Sequence, residues 1–342
     1  MPRPKGVHIK NHIRLAILIA ITLAAIVITA LLPRIPQDPA YHNFADQRAF
    51  LALANFMDVA SNVPFLLVGL WGLLVVHSRR TVFLADSERW PYLIFFLGVA
   101  LTSLGSSYYH LHPNNARLVW DRLPMTLGFM AIVAVILTER VSRKAGVASL
   151  PLVASAGVAS VAYWYATETS GHGDMRPYGL VQFASLLIVL VILLLFRSRY
   201  TQQKWFAIAL AAYVAAKLLE TFDRAVYATL RIVSGHTLKH IVAAGAACCL
   251  VQMLLQRTVA SPASVSSQSV RSSTTRKMKS RCYSPCFDWS IMWCRQPCRA
   301  CKPRNTIVPI KASLGENDEL CGEGDRSRGS VCRRSRGGCE VV

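Results

Sequence analysis

Eight apolar runs fill most of the first 256 positions, each close to the roughly 20 residues a helix needs to cross a bilayer core. They lie at approximately 14–32, 59–77, 90–109, 123–138, 146–165, 178–196, 205–222 and 237–256. Inside hydrocarbon a backbone must satisfy its own hydrogen bonds, so runs of this length are read as α-helices. The expected fold class is therefore all-α, a polytopic membrane protein. Run 123–138 is short and 205–222 carries charge, which makes these two the weakest spans. The first run, RLAILIAITLAAIVITALL, exceeds the roughly 7–15 apolar residues of a signal-peptide core. It reads as an anchor, with cleavage as the alternative.

Composition narrows the class further. Apolar residues make up 53% of the chain and charged residues 16%, against roughly 25% charged in soluble domains. A disordered protein, a collagen, a small disulfide scaffold and an ordinary soluble enzyme are excluded.

The excess of Lys and Arg in short loops sets orientation. Arg3, Lys5, Lys10 and Arg14 precede the first span, whereas loop 33–58 balances Arg34 and Arg48 with Asp38, Asp46 and Asp58. Richer and poorer loops then alternate along the chain. That alternation suits eight spans with both termini in the cytosol.

From Arg257 onward the character changes. This stretch holds 16 basic residues, 7 acidic residues and 8 of the 10 cysteines. The segment SPASVSSQSVRSSTTRKMKS has the composition of a disordered linker. The spacing Cys282-x3-Cys286-x7-Cys294-x3-Cys298-x2-Cys301 invites a zinc reading but lacks the paired two-residue knuckles of a zinc ribbon. A cytosolic tail with reduced thiols is the plainer expectation, and its basic residues could touch anionic lipid. So abrupt a break also fits an altered reading frame or a retained intron.

Ionisable groups inside spans are costly and point to function. The third span ends LTSLGSSYYHLH, where Ser106 and His110 share a helix face and Ser106 lies roughly 6 Å deeper. Asp121 sits at the mouth of the fourth span. The seventh ends with Lys217, Glu220 and Asp223, and the eighth begins with His236 and His240, again four apart. In the alternating topology all of these fall near one non-cytosolic face. Three histidines from two helices suit a catalytic zinc site, which takes three protein ligands and leaves one position for water. A carboxylate within reach can move that water's proton, and a serine hydroxyl can hold a developing oxyanion. The plainer alternatives are an interfacial histidine, a small packing serine and a structural Lys217–Glu220 pair.

The set Ser106-x3-His110-x10-Asp121, followed by His236-x3-His240, resembles the alkaline ceramidase family. The blocks FADQRAF, SNVPFLLVGLWGL, GSSYYHLHPNNARLVWDRLPMT, RPYGLVQF and IVSGHTLKH resemble its plant and bacterial branch, over roughly residues 40–256. The resemblance implies a seven-helix hydrolase core with zinc on His110, His236 and His240. It also implies Asp121 as proton shuttle and Ser106 as oxyanion support; Glu220 and Asp223, by their place near the same face, are candidates for the surrounding shell. The implied reaction cleaves ceramide or phytoceramide to a sphingoid base and a fatty acid, in the ER or Golgi with the site near the lumenal face. The implied partners are a ceramide-type lipid and the bilayer, with no nucleic acid; no protein partner is legible. A lipid ester hydrolase and a non-catalytic, receptor-like seven-helix protein are the alternatives.

Three segments follow: residues 1–33 with the extra anchor, the catalytic bundle at 34–256, and a disordered tail at 257–342. Animal members of the family carry an acidic, tryptophan-containing calcium motif before the first core helix. Here Asp46, Asn55, Asp58 and Asn62 could offer oxygens, but the tryptophan and most of the acids are missing, and calcium stays open. A plainer role for Asp58 is to favour a helix dipole from the first turn.

Overall fold

A computed structural model describes residues 10–260 and, separately, an antiparallel pair formed by β1 (Cys332–Ser335) and β2 (Gly338–Val341). Apart from that pair and residues 257–260, the expected disordered tail and its cysteine spacing lie outside the described residues.

The eight apolar runs all become helices. They are α1 (Asn11–Leu31), the broken pair α2 (Phe56–Ala60) and α3 (Val63–Ser78), α4 (Arg89–Leu111), α5 (Asn115–Arg140), α6 (Arg143–Thr169), α7 (Arg176–Leu195), α8 (Lys204–Thr221) and α10 (Gly235–Gln256). The short α9 (Asp223–Leu230) bends away from α8 by 78°. Seven of these elements are long and apolar enough to cross a membrane, and α8 with α9, taken together across their bend, has the length and apolarity for an eighth. The charges noted at 205–222 are why α8 falls short alone. The chain is thus a multi-pass membrane protein.

One expected boundary is corrected. The fourth span was expected at 123–138, with Asp121 at its mouth. In the structure α5 begins at Asn115, because Asn114 caps it by accepting a hydrogen bond from the Arg117 N–H at 2.9 Å. Asp121 therefore lies inside the helix and is buried.

The bundle core is apolar, with Phe96, Ile136, Ile192, Val251 and Leu254 fully buried between α4, α5, α7 and α10. α4 packs against α3 and α5, and α10 against α3 and α8. α7 and α8, although consecutive, scarcely touch. α1 packs on α7 at the edge of this core, to which it adds Leu18 and Ile21.

The end of the bundle away from the histidines is closed by polar side chains. Arg257 is fully buried, ion-paired with Glu139, and donates to the Tyr92 hydroxyl at 3.1 Å. Its guanidinium lies 4.5 Å from the Phe83 ring and 4.3 Å from that of Tyr200. Backbone bonds from Thr201 to Thr258 and from Ala260 to Arg199, both 2.9 Å, fasten the strand that follows. The helices end at Gln256, and the extended residues 257–260 pack on the bundle, past the tail's expected start at Arg257.

Candidate metal centre

The C-terminal end of α4 supplies His110 and the first turns of α10 supply His236 and His240. All three side chains are buried. Their nearest ligand nitrogens lie within 4.8 Å of one another, and among the described residues they form the one such group of histidine, cysteine or carboxylate side chains. His110 Nε2 and His236 Nε2 stand 3.3 Å apart. Two nitrogens about 2.05 Å from a tetrahedral ion would be separated by about 3.3 Å, so the spacing fits a shared metal. The donor set, three imidazoles, suits zinc, copper, iron or nickel.

The surroundings orient the ligands. Ser61, just after α2, donates its hydroxyl to the Asp58 carbonyl at 3.1 Å and meets His240 Nδ1 at 2.8 Å. With its hydrogen already given, Ser61 can only accept from Nδ1–H, so the Nε2 lone pair of His240 faces the other imidazoles. Asn55 has a left-handed backbone (φ 49°), which asparagine tolerates, and its amide donates to the His110 carbonyl at 2.8 Å. That carbonyl is one of the orphan acceptors at the end of α4. His110 Nδ1 is buried without a protein partner. Phe44 lies over the site, its ring 4.6 Å from both His110 and His236.

Asp223 fastens two segments. It accepts from the His236 backbone N–H at 2.7 Å and from the Ala45 N–H at 2.9 Å. Glu220 is ion-paired with Lys217 and, at 3.1 Å, with Lys239. Tyr41 donates to it at 3.4 Å, and burial raises the Tyr41 phenol well above its usual range, keeping it a donor. Lys239 Nζ lies 2.9 Å from His236 Nε2. An ammonium there competes with a cation for that nitrogen and has Glu220 as its alternative partner.

Ser106 and Asp121 are both buried. Both residues, with His240 and Lys239, line a cavity of about 710 Å³. The cavity runs along α10 from His240 to Leu250, about 15 Å at 1.5 Å per residue. Beyond its polar end the lining is mostly apolar. It borders the gap between α7 and α8, where Gln182 donates to the Tyr213 hydroxyl at 2.7 Å.

The four candidate calcium residues each make other contacts, while Asp58 Oδ2 and Asn62 Oδ1 are buried without a hydrogen-bond partner. The Arg48 guanidinium grips Asp46 through both carboxylate oxygens, at 2.8 and 2.7 Å, and holds its carboxyl below the usual range. Asn55 turns to His110, Asp58 accepts from the Thr237 hydroxyl at 2.7 Å, and the Asn62 amide donates to the Asp58 carbonyl at 2.8 Å. These contacts build the floor beneath the histidines, and the calcium question stays where the sequence left it.

Sequence reasoning found the three histidines, Ser106, Asp121, Glu220 and Asp223. It assigned no role to Phe44, Ser61 or Lys239. Lys239 carried a readable signal, being three residues after His236 and so on the same helix face. Phe44 and Ser61 carried none, since their contacts cross long stretches of chain. Compared with known proteins, the chain matches no family model and no curated protein sequence.

Proposed function

We propose that the protein is a zinc-dependent membrane amidase that hydrolyses ceramide or phytoceramide to a sphingoid base and a free fatty acid. The observation that carries this reading is the arrangement at the polar end of the cavity. His240, one of three clustered and buried imidazoles, lines the end of a long, mostly apolar cavity together with the buried Asp121 and Ser106, inside a membrane-spanning bundle.

When bound, zinc supplies Lewis acidity and a water of lowered pKa. His110, His236 and His240 would hold it, with Ser61 fixing the tautomer of His240. Asp121 takes the proton of the attacking water and returns it to the leaving amine. The Ser106 hydroxyl donates to the oxygen that gains charge in the transition state. Phe44 covers two of the imidazoles and limits bulk water. The cavity houses hydrocarbon chains, and the loosely joined α7 and α8 offer them a way in from the bilayer. In the orientation read from the loop charges, both termini are cytosolic and the site lies near the lumenal face of an ER or Golgi membrane.

The test is a panel of ceramides, phytoceramides and ester-linked analogues, given to purified wild type and to Asp121→Asn. Wild type is expected to release free sphingoid base, and Asp121→Asn to lose about 10²- to 10⁴-fold in rate. Cleavage of esters alone would replace the amidase with a lipid ester hydrolase. Metal binding without turnover of either bond would favour the receptor-like reading.

A further inference from the structure

The helix α1 joins the core only through Leu18 and Ile21, yet it reaches the cavity. Ala25, Ile28, Thr29 and Leu32 all line it. Their spacing of three, four and seven residues places them on one helix face. α1 is open on every side: Ile28 and Leu32 on that face are 60% and 45% exposed, Ile19, Leu23 and Val27 elsewhere 50%, 56% and 54%, and Leu18 is its one buried residue. An ordinary core helix would bury far more, so the contribution of α1 to the bundle is small and local.

The end of α1 nearest the histidines is held firmly. Arg176 donates to the carbonyls of Ala30 at 3.1 Å and Leu32 at 2.5 Å, while its other nitrogens are held by Asp174. The Met175 N–H donates to the Ile35 carbonyl at 2.7 Å. The chain then passes over the site through Tyr41 and Phe44. α1 is therefore fixed to the start of α7, beside the cavity that both helices line.

We propose that α1 is a wall of the lipid site, and that its Ala25–Leu32 face selects which hydrocarbon chain the cavity accepts. The occupant is one acyl chain of the lipid substrate, because this face is continuous with the cavity that ends at His240, Ser106 and Asp121. Small residues at 25 and 29 leave room for methylenes beside Ile28 and Leu32. The proposal rests on reading the cavity as a lipid site.

Two measurements on the full chain test it. In the first, a ceramide with a photoactivatable group in its acyl chain is crosslinked to wild type, with and without excess unlabelled ceramide, and labelled peptides are mapped. Competable labelling within 25–32 is expected. Competable labelling on α5, α7 or α8 but not on α1 would overturn this proposal alone. No competable labelling anywhere would overturn the lipid-site reading beneath it. In the second, Ala25→Trp and Thr29→Trp are compared with Leu23→Trp on a ladder of acyl-chain lengths, with metal per chain counted. The two cavity-face variants should shift the long-to-short preference by at least about fourfold, the factor for one buried methylene, at unchanged metal content, and Leu23→Trp should not. Equal profiles for all three variants would overturn the proposal.

Discussion

Gly105 of α4 lies against the backbone carbonyl of Trp120 in α5, leaving no room for a Cβ between them. Pro124, four residues on, has no N–H to offer that carbonyl, and the missing side chain at 105 lets α4 close over it. The next residue on each helix is a proposed catalytic group, Ser106 and Asp121. Gly105→Ala should therefore push the helices apart and cost about 1–3 kcal/mol of stability, with loss of turnover. Ser106→Ala should reduce turnover with little change in unfolding temperature. Thermal unfolding in detergent, beside the activity assay, separates the two, and a Gly105→Ala protein as stable as wild type would contradict the account.

Ser61 is expected to act through His240. Ser61→Ala removes the acceptor that fixes the tautomer, and changes of this kind cost roughly 10–100-fold in metal affinity. Chelator competition measures it directly, with Ser78→Ala, at the far end of α3, as the control that should bind metal like wild type.

The far end of the bundle should depend on Arg257. Removing one partner of a buried ion pair leaves an uncompensated charge, at about 3–5 kcal/mol. Arg257→Met should lower the unfolding temperature sharply, and adding Glu139→Met should recover much of the loss. A chain ending after residue 260 should fold, whereas one ending at 256 should not. Equal stability of the two truncations would refute this role.

Asp174 gives a pH dependence with a definite sign. Its hydrogen bonds from Arg176 lower its pKa from the ordinary 3.8. The stabilisation is therefore present above pH 3.8 and is lost as pH falls through the lower folded value. Asp174→Asn should be less stable than wild type at neutral pH, and the gap should close in acid. A gap that stays constant down to the acid limit would show that the carboxylate's charge is not what Arg176 uses.

The helices were legible because a bilayer permits so few spanning structures that hydropathy and length nearly define them. The site was legible because its histidines, Ser106 and Asp121 stand at helical spacings near span ends, where topology alone brings them to one layer. What was hidden depends on caps and on distant contacts. The depth of Asp121 follows from the Asn114 cap, which extends α5 through a polar stretch that hydropathy reads as loop. Phe44 and Ser61 meet the histidines across 66 and 179 residues of chain. Arg257 looked like the first residue of a basic tail, and only its aromatic surroundings and Glu139 reveal it as part of the bundle.

The central claim is that the three histidines hold a catalytic metal. The most direct measurement counts zinc per chain and sphingoid base released, in the same preparations of wild type, His236→Ala and His240→Ala. The expected result is about one zinc per wild-type chain with turnover, and loss of both in each folded variant. Full hydrolysis by a folded His240→Ala, or an active wild type that carries no metal, would contradict it.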